Sequence, residues 1–168
     1  MSVDFNAKIG PGFTQDAKYG EYAQKHANTK ESTYILEDKD RDGNKEYFSA
    51  ENKYSRNTLF ELFDKDDNGI NEREKYYDEN GKLEASVFND NKTGLTKKLK
   101  LFKDGELEEV RKFTYNDDGQ IERMFVEDGD GNHISTQKRE YFDNGELSEV
   151  EEHYADHTKP AIIQKFFQ

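Results

Sequence analysis

Regularly spaced Asp-Gly and Asn-Gly pairs are the feature of this 168-residue sequence that most constrains its fold. Eight glycines follow such a residue, and apart from Asp128-Gly129 the pairs are regularly spaced: Asp42-Gly43, Asn68-Gly69, Asn80-Gly81, Asp104-Gly105, Asp118-Gly119, Asp130-Gly131 and Asn144-Gly145. With Gly94 included and Gly129 left out, the glycines from Gly43 onward lie 26, 12, 13, 11, 14, 12 and 14 residues apart. Asp, Asn and Gly tolerate the positive φ that tight hairpin turns require. The spacing therefore predicts a chain of β-hairpins.

The segments between these turns have the pattern of strands. Leu83, Ala85 and Val87 alternate with polar residues, as expected for a strand that buries one face. Strands are predicted at 32–37, 45–53, 58–63, 70–77, 82–89, 95–103, 106–116, 120–127, 133–142, 146–154 and 161–167. Because consecutive tight turns make neighbouring strands antiparallel, we expect an all-β fold: an up-and-down meander of about ten strands, strongly curved or closed.

The two ends of the chain and one strand depart from this pattern. Residues 1–30 contain Gly10, Pro11 and Gly12 and are predicted to form an N-terminal arm or a short helix, ahead of a hairpin domain at 31–168. The stretch from Ile134 to Tyr141 is polar on both faces, so we expect it at a sheet edge or over an open cavity. The apolar tail at 161–167 is predicted to pair within the fold, because an exposed apolar edge would promote aggregation.

Composition limits the partners that such a sheet could bind. The formal charge is −12, from 37 acidic against 25 basic residues, which disfavours nucleic acid and anionic lipid and favours a basic protein partner. The absence of Cys excludes disulfides and thiolate chemistry. No basic segment followed by an apolar stretch opens the sequence, so a cytoplasmic location is the default expectation, with signal-independent export as an alternative.

The recurring frame of aromatic residue, polar turn, glycine and aliphatic residue resembles two bacterial families of tandem β-hairpins. These are the MORN-variant repeats of antitoxin-type proteins and the YD repeats of Rhs-type proteins. The matching stretches are 77–83, 115–121 and 141–147, within a resemblance that covers roughly residues 60 to 155. The resemblance implies a non-catalytic sheet that binds or encapsulates a protein, as an immunity or antitoxin-like factor would.

Two acidic turns have the opening of an EF-hand calcium loop. Carboxylate or amide oxygens stand at alternate positions before a glycine in Asp38, Asp40 and Asp42, and again in Asp64, Asp66 and Asn68. The bidentate Glu required at the twelfth position is missing, since Ser49 and Lys75 stand there. These six residues are therefore calcium candidates, with turn formation as the competing explanation.

The sequence contains no motif that indicates catalysis. It lacks a nucleophile elbow, a P-loop and a His–Glu metalloprotease pair. We therefore expect no enzymatic activity, no catalytic or cofactor-binding residues, and no cofactor apart from the calcium just considered. Protein binding is the favoured function, a calcium-stabilised module is the first alternative, and a small-ligand β-barrel with an aromatic-lined cavity is the second.

Overall fold

Eleven strands, paired in chain order, form one antiparallel sheet. The structure is a computed structural model and describes residues 32–37, 46–66 and 68–168. The strands are β1 Ser32–Glu37, β2 Tyr47–Asn52, β3 Thr58–Phe63, β4 Arg73–Tyr77, β5 Leu83–Asn89, β6 Thr96–Lys103, β7 Glu106–Tyr115, β8 Ile121–Asp128, β9 His133–Tyr141, β10 Leu147–Tyr154 and β11 Ile162–Lys165. The predicted all-β antiparallel meander is thus confirmed.

The sheet is open. Its strand order ends at β1 and β11, and among the described strands no pairing joins these two. The tail pairs with β10, where Val150 lies opposite Gln164, so its predicted pairing within the fold is confirmed. The predicted N-terminal arm or helix at 1–30 lies outside the described residues.

Four of the connecting turns have the same hydrogen bonds. In turn 78–82 the Asp78 N–H donates to the Lys82 carbonyl at 2.8 Å, and the Gly81 N–H donates to the Asp78 carbonyl at 3.0 Å. Turns 116–120, 128–132 and 142–146 repeat both bonds, each with a glycine at positive φ in the fourth position. The pairing of the flanking strands shifts register beside each of these turns. This is the geometry of a hairpin turn closed by a bulge.

The two faces of the sheet differ in composition. One face, the core face, carries the most buried apolar side chains, with Phe60, Tyr76 and Leu99 at most 1% exposed. The opposite face, the outer face, carries aromatic and cationic side chains such as Phe63, whose ring centroid lies 5.2 Å from that of Tyr47. Burial of apolar area on the core face contributes about 25 cal/mol per Å². The core face therefore supplies most of the stability, while the outer face carries much of the charge.

The C-terminal strands are less buried than the middle of the sheet. No residue of β10 or β11 is fully buried, and Ile162 and Ile163 are 53% and 55% exposed. Polar β9 lies between β8 and β10, so of its two expected positions, at a sheet edge or over an open cavity, the edge is wrong. An inner strand can be this polar because its backbone pairs with a strand on each side, which satisfies groups whose burial is costly.

Candidate functional site: the acidic edge

Acidic residues concentrate along one edge of the sheet. In a meander, alternate turns fall on the same edge, which brings together the turns at 64–72, 90–95, 116–120 and 142–146. These four segments contain nine Asp and Glu residues against two Lys. We call them the acidic edge. Charges of one sign in neighbouring turns add to a local negative potential.

The first turn of the acidic edge is organised by its own carboxylates. Asp64 is 5% exposed and accepts hydrogen bonds from the Asn68 N–H at 3.1 Å and the Gly69 N–H at 2.8 Å. Glu72 accepts from the Lys65 N–H at 2.8 Å. These bonds hold the loop closed, because each carboxylate satisfies backbone donors that the turn leaves free.

Three carboxylates converge in this turn. Oxygens of Asp64, Asp66 and Glu72 all lie within 4.8 Å of one another. Asn68 does not join them, since its amide donates to the Asn91 carbonyl at 2.6 Å and its oxygen accepts from the Ile70 N–H at 2.8 Å. Hard cations such as calcium prefer clustered carboxylate oxygens of this kind.

The structure brings together only some of the residues that were predicted to bind calcium. Asp64 and Asp66 come together, Asn68 is engaged elsewhere, and Asp38, Asp40 and Asp42 lie outside the described residues. Sequence reasoning missed Glu72, which stands at the ninth position of the loop that begins at Asp64. The signal was present, because the ninth position of an EF-hand loop also contributes a ligand, often through water.

The second turn holds its acidic residue in a similar way. Asp90 accepts hydrogen bonds from the N–H groups of Lys92 and Thr93, both at 2.9 Å, and pairs with Lys97 at 2.7 Å. The Lys97 ammonium and then these backbone donors hold the pKa of the Asp90 carboxyl well below its usual range. Bonds to the charged form favour that form, so this group stays ionised into acid.

Side chains link neighbouring turns of the edge. The Gln120 amide donates to the Gly145 carbonyl at 2.7 Å, which joins the last two turns. The Tyr141 hydroxyl donates to the Ile121 carbonyl at 2.7 Å, and the Tyr115 hydroxyl donates to the Thr96 carbonyl at 2.6 Å. Burial raises the pKa of Tyr115 and of Tyr141. These bonds fix the spacing of the turns and hence of their charges.

The last two turns present carboxylates to solvent. Asp117, Asp118 and Asp143 are exposed, and no side-chain hydrogen bond or ion pair engages their carboxylates within the described part of the chain. An open groove between the two turns is lined in part by Asp118 and Asp143, with Tyr141 beside them. Unlike Asp64 and Asp90, these carboxylates are not used to build the turns, so they are available to a partner.

Among the residues that the structure describes, no helix combines the length and apolarity needed to cross a membrane.

Comparisons with known proteins identify no relative. No family model matches the chain, and no curated protein matches it. Among solved structures, it is similar to accessory secretory proteins 1, 2 and 3 of Streptococcus pneumoniae, with 13% identity over 60% of this chain and 19% of that one, at a TM-score of 0.39. It is also similar to a TarM mutant from S. aureus in complex with fondaparinux, α-GlcNAc-glycerol and UDP, with 13% identity over 89% and 24% of the two chains, at a TM-score of 0.31.

A third similar structure is the GtfA/B complex bound to UDP and GlcNAc, with 16% identity over 56% of this chain and 22% of that one, at a TM-score of 0.32. This chain therefore spans about a fifth to a quarter of the length of these structures. At such identities and TM-scores the matches indicate neither a family nor an activity.

Proposed function

We propose that this protein is a non-catalytic, protein-binding β-hairpin module that engages a basic partner through its acidic edge. The observation that carries the proposal is the concentration of nine acidic residues against two lysines in four adjacent turns. Complementary charge steers association and sets specificity. In this proposal the partner is a basic bacterial protein, as for an immunity or antitoxin-like factor, and the predicted curvature of the sheet helps to enclose it.

The acidic edge contains carboxylates that build the turns and others that face solvent, and this combination supports the proposed function. Asp64, Glu72 and Asp90 satisfy backbone donors, which makes the turns rigid. Asp117, Asp118 and Asp143 lie on turns joined by the bond from Gln120 to Gly145, and their carboxylates face solvent. Rigid placement lowers the entropic cost of binding. A basic surface would therefore meet pre-positioned charges.

A charge-neutralising variant tests the proposal. D117N/D118N/D143N removes three exposed charges without removing a turn hydrogen bond, and E79Q/E106Q/E108Q removes three exposed charges from the opposite edge as a matched control. Fluorescence anisotropy with a labelled oligo-lysine peptide at low salt should show binding that weakens about tenfold in the first variant and less than about twofold in the control. Equal weakening in both variants would mean that net charge alone attracts the peptide.

Calcium binding is the second candidate function, and the convergence of Asp64, Asp66 and Glu72 within 4.8 Å is the observation that favours it. Calcium should raise the melting temperature in a saturable way, because a ligand that binds only the folded state stabilises that state. Magnesium and a chelator are the controls, and the D66N/E72Q variant should lose the rise. An unchanged melting temperature would leave these carboxylates as turn formers. The open sheet does not favour the β-barrel alternative.

A further inference from the structure

The outer face carries a row in which aromatic and cationic residues predominate. Direct cross-strand pairing joins nine residues from β2 to β10, namely Tyr47, Phe63, Arg73, Phe88, Lys98, Lys112, Phe125, Thr136 and His153. The row contains no Asp or Glu, although the whole chain has 37 acidic residues. On β1 the line ends at Glu37, which lies opposite Tyr47, so the part without acidic residues runs from β2 to β10.

Three cations surround one phenyl ring in the middle of the row. The Arg73 guanidinium carbon lies 5.1 Å from the Phe88 ring centroid, and the ammonium groups of Lys98 and Lys100 lie 4.7 and 5.8 Å from it. We call these four residues the cationic patch. Each contact with the ring is attractive, but the three cations repel one another.

Among the described residues, no carboxylate neutralises the charge of the cationic patch by an ion pair. Lys112 pairs with Glu127 at 2.5 Å and Lys75 with Glu61 at 3.7 Å. By contrast, no carboxylate of the described residues forms an ion pair with Arg73, Lys98 or Lys100. Lys98 also lies directly opposite Lys112 across β6 and β7, a like-charge pairing that destabilises a sheet. Folding does not require this arrangement.

A buried hydroxyl beside the patch also lacks a partner. Ser86 is 1% exposed and lies in register between Lys75 on β4 and Lys100 on β6. Its Oγ has no hydrogen-bond partner among the described residues. A buried hydroxyl normally has one.

From these observations we propose that the cationic patch binds a short acidic peptide segment of a protein partner. Lys98 and Lys100 lie on the same face two residues apart, a distance of about 7 Å. Alternate carboxylates of an extended peptide have the same spacing of about 7 Å, so such a peptide running along β6 would match both lysines. Arg73, two strands away at about 10 Å, would meet a third carboxylate.

The dimensions and surroundings of the patch favour an acidic peptide over a nucleic acid. Cations already lie against the Phe88 ring, which leaves it unsuitable as a stacking platform for bases. A longer polyanion would also pass over the acidic edge and be repelled there. The cationic patch has the opposite charge to the acidic edge and shares no residue with it. Either proposal can therefore be wrong while the other holds.

Binding of a labelled peptide of alternating Glu and Ser tests the proposal. R73Q/K98Q/K100Q removes three charges from the patch, and K53Q/K92Q/K103Q removes three exposed charges from elsewhere. Fluorescence anisotropy at low salt should show the affinity falling about tenfold or more in the first variant and less than about twofold in the second. Undetectable peptide binding by the wild-type protein, or equal losses in both variants, overturns the proposal.

Two further measurements test whether the acidic peptide binds at the patch and whether the patch prefers it to other anions. In the unmutated protein, the peptide should protect Lys98 and Lys100 from acetylation while Lys53 and Lys92 react unchanged, which requires no variant to fold. Heparin and oligothymidylate serve as competing probes. If either binds the patch more tightly than the acidic peptide does, the assignment to a protein partner is wrong.

Discussion

The acidic edge and the cationic patch belong to the same sheet, yet their charges have different structural causes. At the edge, Asp64 and Asp90 accept hydrogen bonds from the backbone of their own turns, so much of the acidity serves folding. In the patch, Lys98 and Lys100 contact a ring but no carboxylate of the described residues. A charged group that stabilises the fold is weak evidence of a binding partner. A charged group that lowers the stability of the fold is stronger evidence of one.

This difference can be tested first by removing a charge that builds a turn. Asp64→Ala should lower the free energy of unfolding by about 2 kcal/mol, because two backbone N–H groups lose a charged acceptor in a buried position. Asp117→Ala, on the same edge, should change it by less than about 0.5 kcal/mol. Urea denaturation measures both. Similar losses in the free energy of unfolding would contradict the distinction between carboxylates that build the turns and carboxylates that are available to a partner.

A second variant removes the Phe88 ring, which all three cations of the patch contact. Phe88→Leu keeps an apolar side chain but loses three cation–π contacts, so stability should fall by about 1 kcal/mol at low salt. Salt should recover part of this loss, since it screens the repulsion among Arg73, Lys98 and Lys100. Phe102→Leu on β6 is the matched control. A loss of the same size at every salt concentration would show that only packing had changed.

The smallest expected effect is the pH dependence of the stability that Asp90 contributes at the acidic edge. The depressed pKa of Asp90 in the folded state means that its ionised form stabilises the fold. That contribution is present above the unfolded pKa of about 4 and is lost as pH falls through the lower folded value. Asp90→Asn should therefore be slightly less stable than the wild-type protein at neutral pH, and the two should converge in strong acid. Thermal unfolding across this range measures the difference, and a gap that widened in acid would contradict the assignment.

Much of the fold could be predicted from the sequence because its signals are local. The Asp-Gly and Asn-Gly pairs predict the turns, and in six of the described pairs the glycine has a positive φ. In one of them both residues do, with φ values of 53° for Asp104 and 86° for Gly105. Strand β3 lies where it was predicted, at residues 58–63. Strand β9 was expected at an edge or over a cavity because of its polarity, but the order of strands depends on the turns and not on polarity.

The binding surfaces were harder to predict because they depend on register. The bulges beside the turns shift which residues lie opposite one another, as between Thr114 and Tyr115. Val110 lies opposite Lys100 and Glu127 on the outer face, yet it is only 7% exposed. The approach of Arg73 and Lys98 to Phe88 from two neighbouring strands cannot be deduced from linear spacing. Glu72 could have been found, since its position in the loop is readable from the sequence.

A crossed binding experiment tests the central claim that one sheet carries two independent surfaces of opposite sign. The oligo-lysine peptide and the Glu-Ser peptide are each titrated, separately, into the wild-type protein, D117N/D118N/D143N and R73Q/K98Q/K100Q. The account predicts that the edge variant weakens only the basic peptide and that the patch variant weakens only the acidic one, each by about tenfold. Variants that weaken both peptides alike, or neither, would contradict it.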